Sequence, residues 1–206
     1  CGGVQKNTIE KSNQASSVGA LLYGEGKADM VKFVAGLPFR DPPGESYAYS
    51  TGDSTVLATA AQGALAPTYG RDWDKKVLFA PLGMASAILE RDKHGNPAGG
   101  SYLYATPRDL ARFGYLYLRD GCWNCEQLLP EGWVTDSQQI SHGFKVKPLD
   151  RDEDEVYGWQ MWLNRAVPEV GQTLPFPDVP EGAFMPRGHW GQYIMVIPSL
   201  DLVIVR

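Results

Sequence analysis

Apolar residues along this chain alternate between helical and strand spacing, and the changes of period divide it into short elements. From Ser54 to Leu65 the residues Val56, Leu57, Ala60, Ala61, Ala64 and Leu65 recur at helical intervals, which predicts a helix with a buried face. The stretch TPRDLARFGYLYLRDG, beginning at Thr106, carries the strongest helical pattern in the chain. Thr106 is placed to cap it, Pro107 suits the first helical position, and Asp109 completes a box-like start. Leu110, Phe113 and Tyr117 then form one face, and Gly121 ends the run. Weaker helical patches occur in KADMVKFVAGL, in RDWDKKVLFAPLGM up to Pro81 and Gly83, and in LPEGWVTDSQ. VYGWQMWLN reads as a strand. A loop rich in Pro and Gly follows, from about Arg165 to Pro186. The chain closes on a predicted hairpin: QYIMVI, a PSLD turn, then LVIVR. These near-continuous apolar runs imply strands covered on both faces. DPPGE and ERDKHGNPAGG punctuate the pattern as turns, and no internal repeat is visible.

Composition narrows the class. With 206 residues, 43% hydrophobic and 21% charged, there is enough apolar mass for the core of one globular domain or of part of a larger one. The net charge of −5 and the lack of a basic patch speak against nucleic-acid binding. No apolar run approaches the roughly 20 residues of a membrane helix. The opening CGGVQKNTIE lacks the basic flank and apolar stretch of a signal peptide. It also does not begin with Met, so a leader removed or never included is an expectation. Three cysteines are too few for a disulfide scaffold. Cys122 and Cys125 form a lone CWNC in an expected surface turn, a weak zinc signal. Two ordinary thiols or a local disulfide are the simpler readings, and a redox site is the less favoured one. The acidic run DRDEDE at 150–155 opens like a calcium loop. Glu155 stands where the loop needs glycine and Met161 where it needs the bidentate Glu, so a solvated loop is expected.

Two clusters carry candidate chemistry. YAYSTGDS (47–54) sets Tyr49 among small polar residues just before a helix, and Gly188-His189-Trp190-Gly191-Gln192 flanks a histidine with glycines that admit a close approach. Each alone reads equally as packing. Together and in this order they resemble the serine β-lactamase-related family: class C β-lactamases, D-alanyl-D-alanine peptidases and related esterases and amide hydrolases. PPGESYAYSTGDSTVLA is similar to that family's tyrosine segment. LFAPLGM, GGSYLYATPRDLARFGYLYLRDG and LLPEGWV are similar to its middle region. YGWQMWL and GHWGQYIMVIPSLDLVIVR are similar to its last core strands. The resemblance implies an α+β fold of the β-lactamase/transpeptidase type, with an antiparallel sheet flanked by helices and a mainly helical lobe. It implies acyl transfer through a serine acyl-enzyme, with Tyr49 moving protons between nucleophile and leaving group. A nearby cation is then required to hold its phenol below the usual ~10. His189-Trp190-Gly191 matches the His-x-Gly form of the family's Lys-Thr-Gly triad and is expected on a strand edge lining the cleft. Catalytic roles fall to Tyr49 and His189; substrate-binding or oxyanion roles fall to Thr51, Trp190, Gly191 and Gln192, the last through its backbone N–H. No metal or cofactor is implied.

The sequence also departs from the family pattern. The nucleophile lies in Ser-x-x-Lys at the start of a buried helix. No lysine here has a serine three residues before it, and Thr8-Ile9-Glu10-Lys11 is the nearest approach. Forty-eight residues precede Tyr49, fewer than the family places between the two motifs. CGGVQ resembles the turn after the nucleophile helix, and the chain stops at LVIVR, where a final helix normally follows. The expectation is therefore a single partial domain over 1–206, an internal piece lacking the N-terminal strands, the nucleophile helix and the last helix. Thr51 stands where the family often has Asn, which favours an esterase or amide hydrolase over strict β-lactam chemistry. The expected function is a serine hydrolase acting on a small ester or amide. The alternatives are a true β-lactamase or D-alanyl-D-alanine peptidase, or a non-catalytic binding relative without the nucleophile. The family's usual export implies a periplasmic or secreted location, with a cytoplasmic one the alternative. Oligomeric state is left open.

Overall fold

The structure, a computed structural model, describes residues 17–39, 41–42, 44–146 and 156–206. The acidic run 150–155, CGGVQ and Thr8–Lys11 lie outside the described residues. Helix α1 (Ser17–Tyr23) leads through a 3-10 turn into α2 (Met30–Ala35), where Asp29 accepts the Lys32 amide as N-cap at 3.0 Å. Leu21, Leu22, Met30 and Val34 close a small core with Ala98.

Helix α3 (Thr51–Tyr69) begins where a side chain can cap it: Ser50 Oγ accepts the Asp53 amide at 3.1 Å. It overruns the predicted Ser54–Leu65 at both ends, and its orientation corrects the expected buried face. Thr55 is its buried residue, whereas Val56, Leu57, Ala60 and Ala64 are exposed. The reason is the partner surface. Gly99 and Gly100 lay their backbone against the small-residue side of the helix, where a Cβ on Gly99 would stand 2.3 Å from Ala58 Cβ. Val34 of α2 presses on Gly52 from another direction. Only small side chains permit such an approach, so that side is covered and the larger aliphatic side is not.

The RDWDKKVLFAPLGM patch forms a π-helical turn at Lys75–Phe79 rather than a regular helix, and Phe79, Leu82 and Met84 bury beneath it. Strands β1 (Ile88–Leu89) and β2 (Leu103–Tyr104) pair around the ERDKHGNPAGG link. Helix α4 (Pro107–Leu118) forms as the sequence predicts, with Thr106 Oγ1 accepting the Asp109 amide at 3.4 Å. Asp109 is buried and also accepts the Ser86 amide at 2.9 Å, the Ser86 hydroxyl at 2.6 Å, and the Arg112 guanidinium. The Ser86 hydrogen bonds, followed by Arg112, hold its carboxyl below the usual carboxylate range. A group depressed in the folded state stabilises fully above its unfolded value of about 4, and that contribution is lost as pH falls through the folded value. Melting temperature followed from pH 6 downward should therefore show an acid limb that Asp109→Asn flattens; an unchanged limb would assign the acid sensitivity to other carboxylates.

After α4 the chain turns through β3 (Cys122–Trp123) and β4 (Glu126–Gln127), a two-residue hairpin. Its central residues Asn124 and Cys125 have φ of 50° and 65°. Positive φ at both positions is the signature of a type I′ turn, which favours Asn-Gly. Asn124 meets this preference and Cys125 does not. Cys125→Gly should therefore raise stability by about 0.5–1 kcal/mol in urea unfolding, and a loss of stability would mean the thiol packs usefully. Cys122 and Cys125 are free cysteines, and Cys125 is exposed.

The short helices α5 (Trp133–Ser137) and α6 (His142–Val146) precede the main antiparallel sheet. Its strands are β5 (Trp162–Leu163), β6 (Phe184–Met185), β7 (Arg187–Gly188), β8 (Gln192–Ile197) and β9 (Leu202–Val205). Both β6 and β7 pair with β8, on either side of Pro186, which has no N–H to donate. β9 pairs with the opposite edge of β8. The terminal hairpin is thus as predicted, with one correction: Leu202 and Ile204 of β9 are exposed, so that strand is covered on one face only. Strand β5 is also shorter than VYGWQMWLN. The segment folds back so that Tyr157 bridges Trp162, and Gly158 donates to the Met161 carbonyl at 2.8 Å. Gln160 takes φ of 59° in that turn. Helix α4 crosses β8 and β9 closely, because a Cβ on Gly114 would stand 2.7 Å from Ile194 and Val203. The main core lies between these layers, with Phe144, Phe184, Met185 and Val196 nearly inaccessible.

Candidate active site

Tyr49 immediately precedes Ser50, the extended residue that caps α3. Tyr47 is buried in the core, against Phe144 at 5.5 Å between ring centroids. Tyr49 is half-buried and meets Tyr157 edge-on at 5.7 Å and Trp162 at 5.2 Å. Tyr157 and Trp162 are themselves 4.7 Å apart, brought together by the turn before β5. The Ser54 hydroxyl donates to Gln160 Oε1 at 3.0 Å and the Tyr157 hydroxyl to the same oxygen at 3.3 Å, tying the first turn of α3 to that turn. Burial, and next to it the charge of an ionised Tyr49, push the Tyr157 phenol well above its ordinary value. Of the two adjacent tyrosines, Tyr157 is therefore held neutral.

Arg187 enters from β7. Its Cζ lies 5.0 Å from the Trp162 ring centroid and 5.6 Å from that of Tyr193. Two residues on, His189-Trp190-Gly191 form the turn that joins β7 to β8 (Gly188 pairs with Gln192) rather than the strand edge expected from the sequence. The local reason is backbone conformation: Trp190 and Gly191 take φ of 61° and 74°, which ends strand pairing. Gly191 adopts this freely; Trp190 does so at a cost of about 1 kcal/mol or more. Trp190 is 88% exposed and His189 is exposed beside it, their rings 4.9 Å apart. Gln192 begins β8 and is exposed.

The structure thus links Tyr49 to the β7–β8 turn through Trp162 and Arg187. Thr51 is placed differently. It sits in the first turn of α3, where a Cβ on Gly100 would stand 2.5 Å from its methyl group, so it packs beneath the Gly99–Gly100 loop. Sequence reasoning missed Tyr157, Trp162, Arg187 and Tyr193. A signal was present: aromatics crowd the YGWQMW turn, and Arg187 immediately precedes GHWGQ. A separate open groove of about 870 Å³ over the outer face of α4, lined by Arg108, Arg112, Tyr115, Arg119, Cys122 and Trp123 among others, includes none of the predicted site residues. Among the described residues no cluster of three or more His, Cys, Asp or Glu could hold a metal, and no helix is long and apolar enough to cross a membrane.

Comparison with known proteins gives this geometry a setting. A Bacillus anthracis protein assigned as a 6-aminohexanoate-dimer hydrolase superposes with a TM-score of 0.71 at 20% identity, covering 98% of this chain and 51% of that one. A Bacteroides dorei protein assigned as a beta-lactamase gives 0.64 at 17% identity over 85% of this chain and 55% of its own. A beta-lactamase from Mycobacterium bovis gives 0.59 at 19% over 82% and 58%. These likenesses establish a beta-lactamase-like α+β fold, and the chain spans about half the length of each structure. An uncharacterized protein of Alkalihalophilus pseudofirmus is 28% identical over 111 residues, 50% of this chain and 29% of the relative. The family profile described as Beta-lactamase matches residues 5–206, nearly the whole sequence, and the chain belongs to the beta-lactamase family.

Proposed function

We propose that residues 1–206 supply the proton-transfer and substrate-side part of a serine hydrolase that acts through an acyl-enzyme on a small ester or amide. The observation that carries this reading is the setting of Tyr49. It is half-exposed, fixed at the mouth of α3, stacked on Trp162, and paired with a second tyrosine that burial keeps neutral. Such a phenol takes the proton from a serine hydroxyl as the acyl bond forms, then returns it to the departing alcohol or amine. His189 and Trp190, exposed on the β7–β8 turn, orient the substrate, and the Gln192 amide serves as an oxyanion donor. Thr51 acts as a packing residue of the α3 start rather than as a ligand. The serine comes from outside residues 1–206, since no Ser-x-x-Lys occurs within them.

That same lack favours a second reading, a binding relative without hydrolysis. Incubating the protein that carries the remainder of the domain with nitrophenyl esters, and weighing it by intact mass spectrometry, separates the two. A transient acyl adduct with ester turnover supports the hydrolase. Saturable ester binding with neither adduct nor turnover supports the binding relative. The 206-residue chain alone should not be labelled by a fluorophosphonate, and labelling at one of its own serines would overturn the external nucleophile.

A further inference from the structure

We infer that the open groove over the outer face of α4 binds a short acidic peptide with a central apolar side chain, presented by a partner protein. The groove begins as a pattern on the helix. Arg108, Arg112, Tyr115 and Arg119 follow one another at steps of four, three and four residues, which places them on one stripe. Arg108 and Arg119 are eleven positions apart, about 16 Å of helical rise. The β3–β4 hairpin adds Cys122, Trp123 and Cys125 to the lining, and the β8–β9 side adds Asp201 and Val203. The stripe is therefore the floor of a groove of about 870 Å³ rather than a freely solvated face.

The chemistry of the lining selects the occupant. It sets three guanidiniums against one carboxylate, Asp201, in a chain whose net charge is −5. Arg112 is held by the buried Asp109 and donates to the Gly83 carbonyl at 2.7 Å. Arg119 pairs with Asp201 at 3.0 Å, and its Cζ lies 4.9 Å from the Tyr115 ring centroid. These contacts fix the two planar forks and leave further donors on each for an incoming carboxylate. The Asp201 side chain is 64% exposed, so a ligand carboxylate displaces it at little cost. Between the end arginines, Tyr115 is exposed and meets Trp123 edge-on at 5.9 Å, an apolar seat for one side chain. An extended chain rises about 3.3 Å per residue, so about five residues reach from Arg108 to Arg119. Acidic ends with an aromatic centre match that spacing. The net negative charge of the chain opposes a long polyanion, which favours a short acidic segment over a nucleic acid.

The exposed thiol of Cys125 reports occupancy without turnover. In the protein that carries the remainder of the domain, alkylation by iodoacetamide is read residue by residue by mass spectrometry. The peptide acetyl-Glu-Glu-Phe-Glu-Glu-amide should slow alkylation at Cys125 saturably, by about threefold at twice its midpoint concentration. Arg108→Glu should raise that midpoint about tenfold; an acidic residue suits the first turn of a helix, so this variant should fold. Asp201→Asn removes the competing carboxylate and should lower the midpoint about threefold. Lys93→Glu, the same charge change on an exposed turn outside the groove, should leave it unchanged. Protection that is absent, that survives Arg108→Glu, or that is lost equally in Lys93→Glu overturns the inference. Equal protection by the peptide with Gly in place of Phe overturns the apolar seat. Equal protection by a thymidine oligonucleotide of matched charge overturns the peptide as occupant.

Discussion

Replacing Tyr49 with Phe, in the protein that carries the remainder of the domain, is expected to lower turnover of an activated ester by about a hundredfold, the usual worth of a positioned general base. That is about 2.7 kcal/mol in the transition state. The substitution keeps the ring contacts to Tyr157 and Trp162 and removes only the hydroxyl, so unfolding midpoints should move little. His189→Ala should give a different kinetic pattern. His189 stands on an exposed turn, so its loss should appear substantially in KM. Steady-state kinetics on both variants decide between the roles. Full activity in Tyr49→Phe rules out proton transfer by this residue, and a His189→Ala loss confined to kcat rules out substrate orientation.

Phe184→Ala should destabilise the fold by about 3–5 kcal/mol, read from urea unfolding. Phe184 is 1% exposed at the centre of the sheet, paired through the backbone with Leu163 and Val196 and facing Tyr117 of α4 at 6.2 Å. Packed layers on both sides keep the cavity from collapsing. Leu57→Ala supplies the contrast. Its position lies in the run read from sequence as a buried helical face, yet it is 54% exposed, so its cost should stay below about 1 kcal/mol. A Leu57→Ala loss comparable to that of Phe184→Ala would restore the buried face.

Legibility from sequence varied with how local the determining physics was. Helix α4 was legible because its start and stop are written into adjacent residues: Thr106 caps, Pro107 fits the first turn, and Gly121 takes a φ of 83°. The β8–β9 hairpin was legible for the same reason, its PSLD turn lying between two apolar runs. The face that α3 buries was not. It depends on Gly99 and Gly100, more than thirty positions away, laying their backbone against Thr51, Ser54 and Ala58. Apolar spacing alone cannot say which partner will approach. The YGWQMW segment misled for a related reason: its aromatics favour a strand, but Gly158 and Gln160 turn the chain back before pairing begins.

By itself, then, the sequence determined the family segments, the order of the main helices and terminal strands, and the two clusters that hold Tyr49 and His189. Each of those rests on residues within a few positions of one another, where capping, turn chemistry and periodicity act. Only the tertiary structure decided which distant side chains meet. Tyr49, Trp162, Arg187 and Tyr193 come from four separated parts of the chain, and they meet because β5, β7 and β8 converge beside the start of α3. Tertiary structure likewise turned His189-Trp190-Gly191 from a strand edge into an exposed turn, because pairing of Gly188 with Gln192 forces the chain to reverse within three residues. Long-range packing sets such contacts, and no local pattern encodes them.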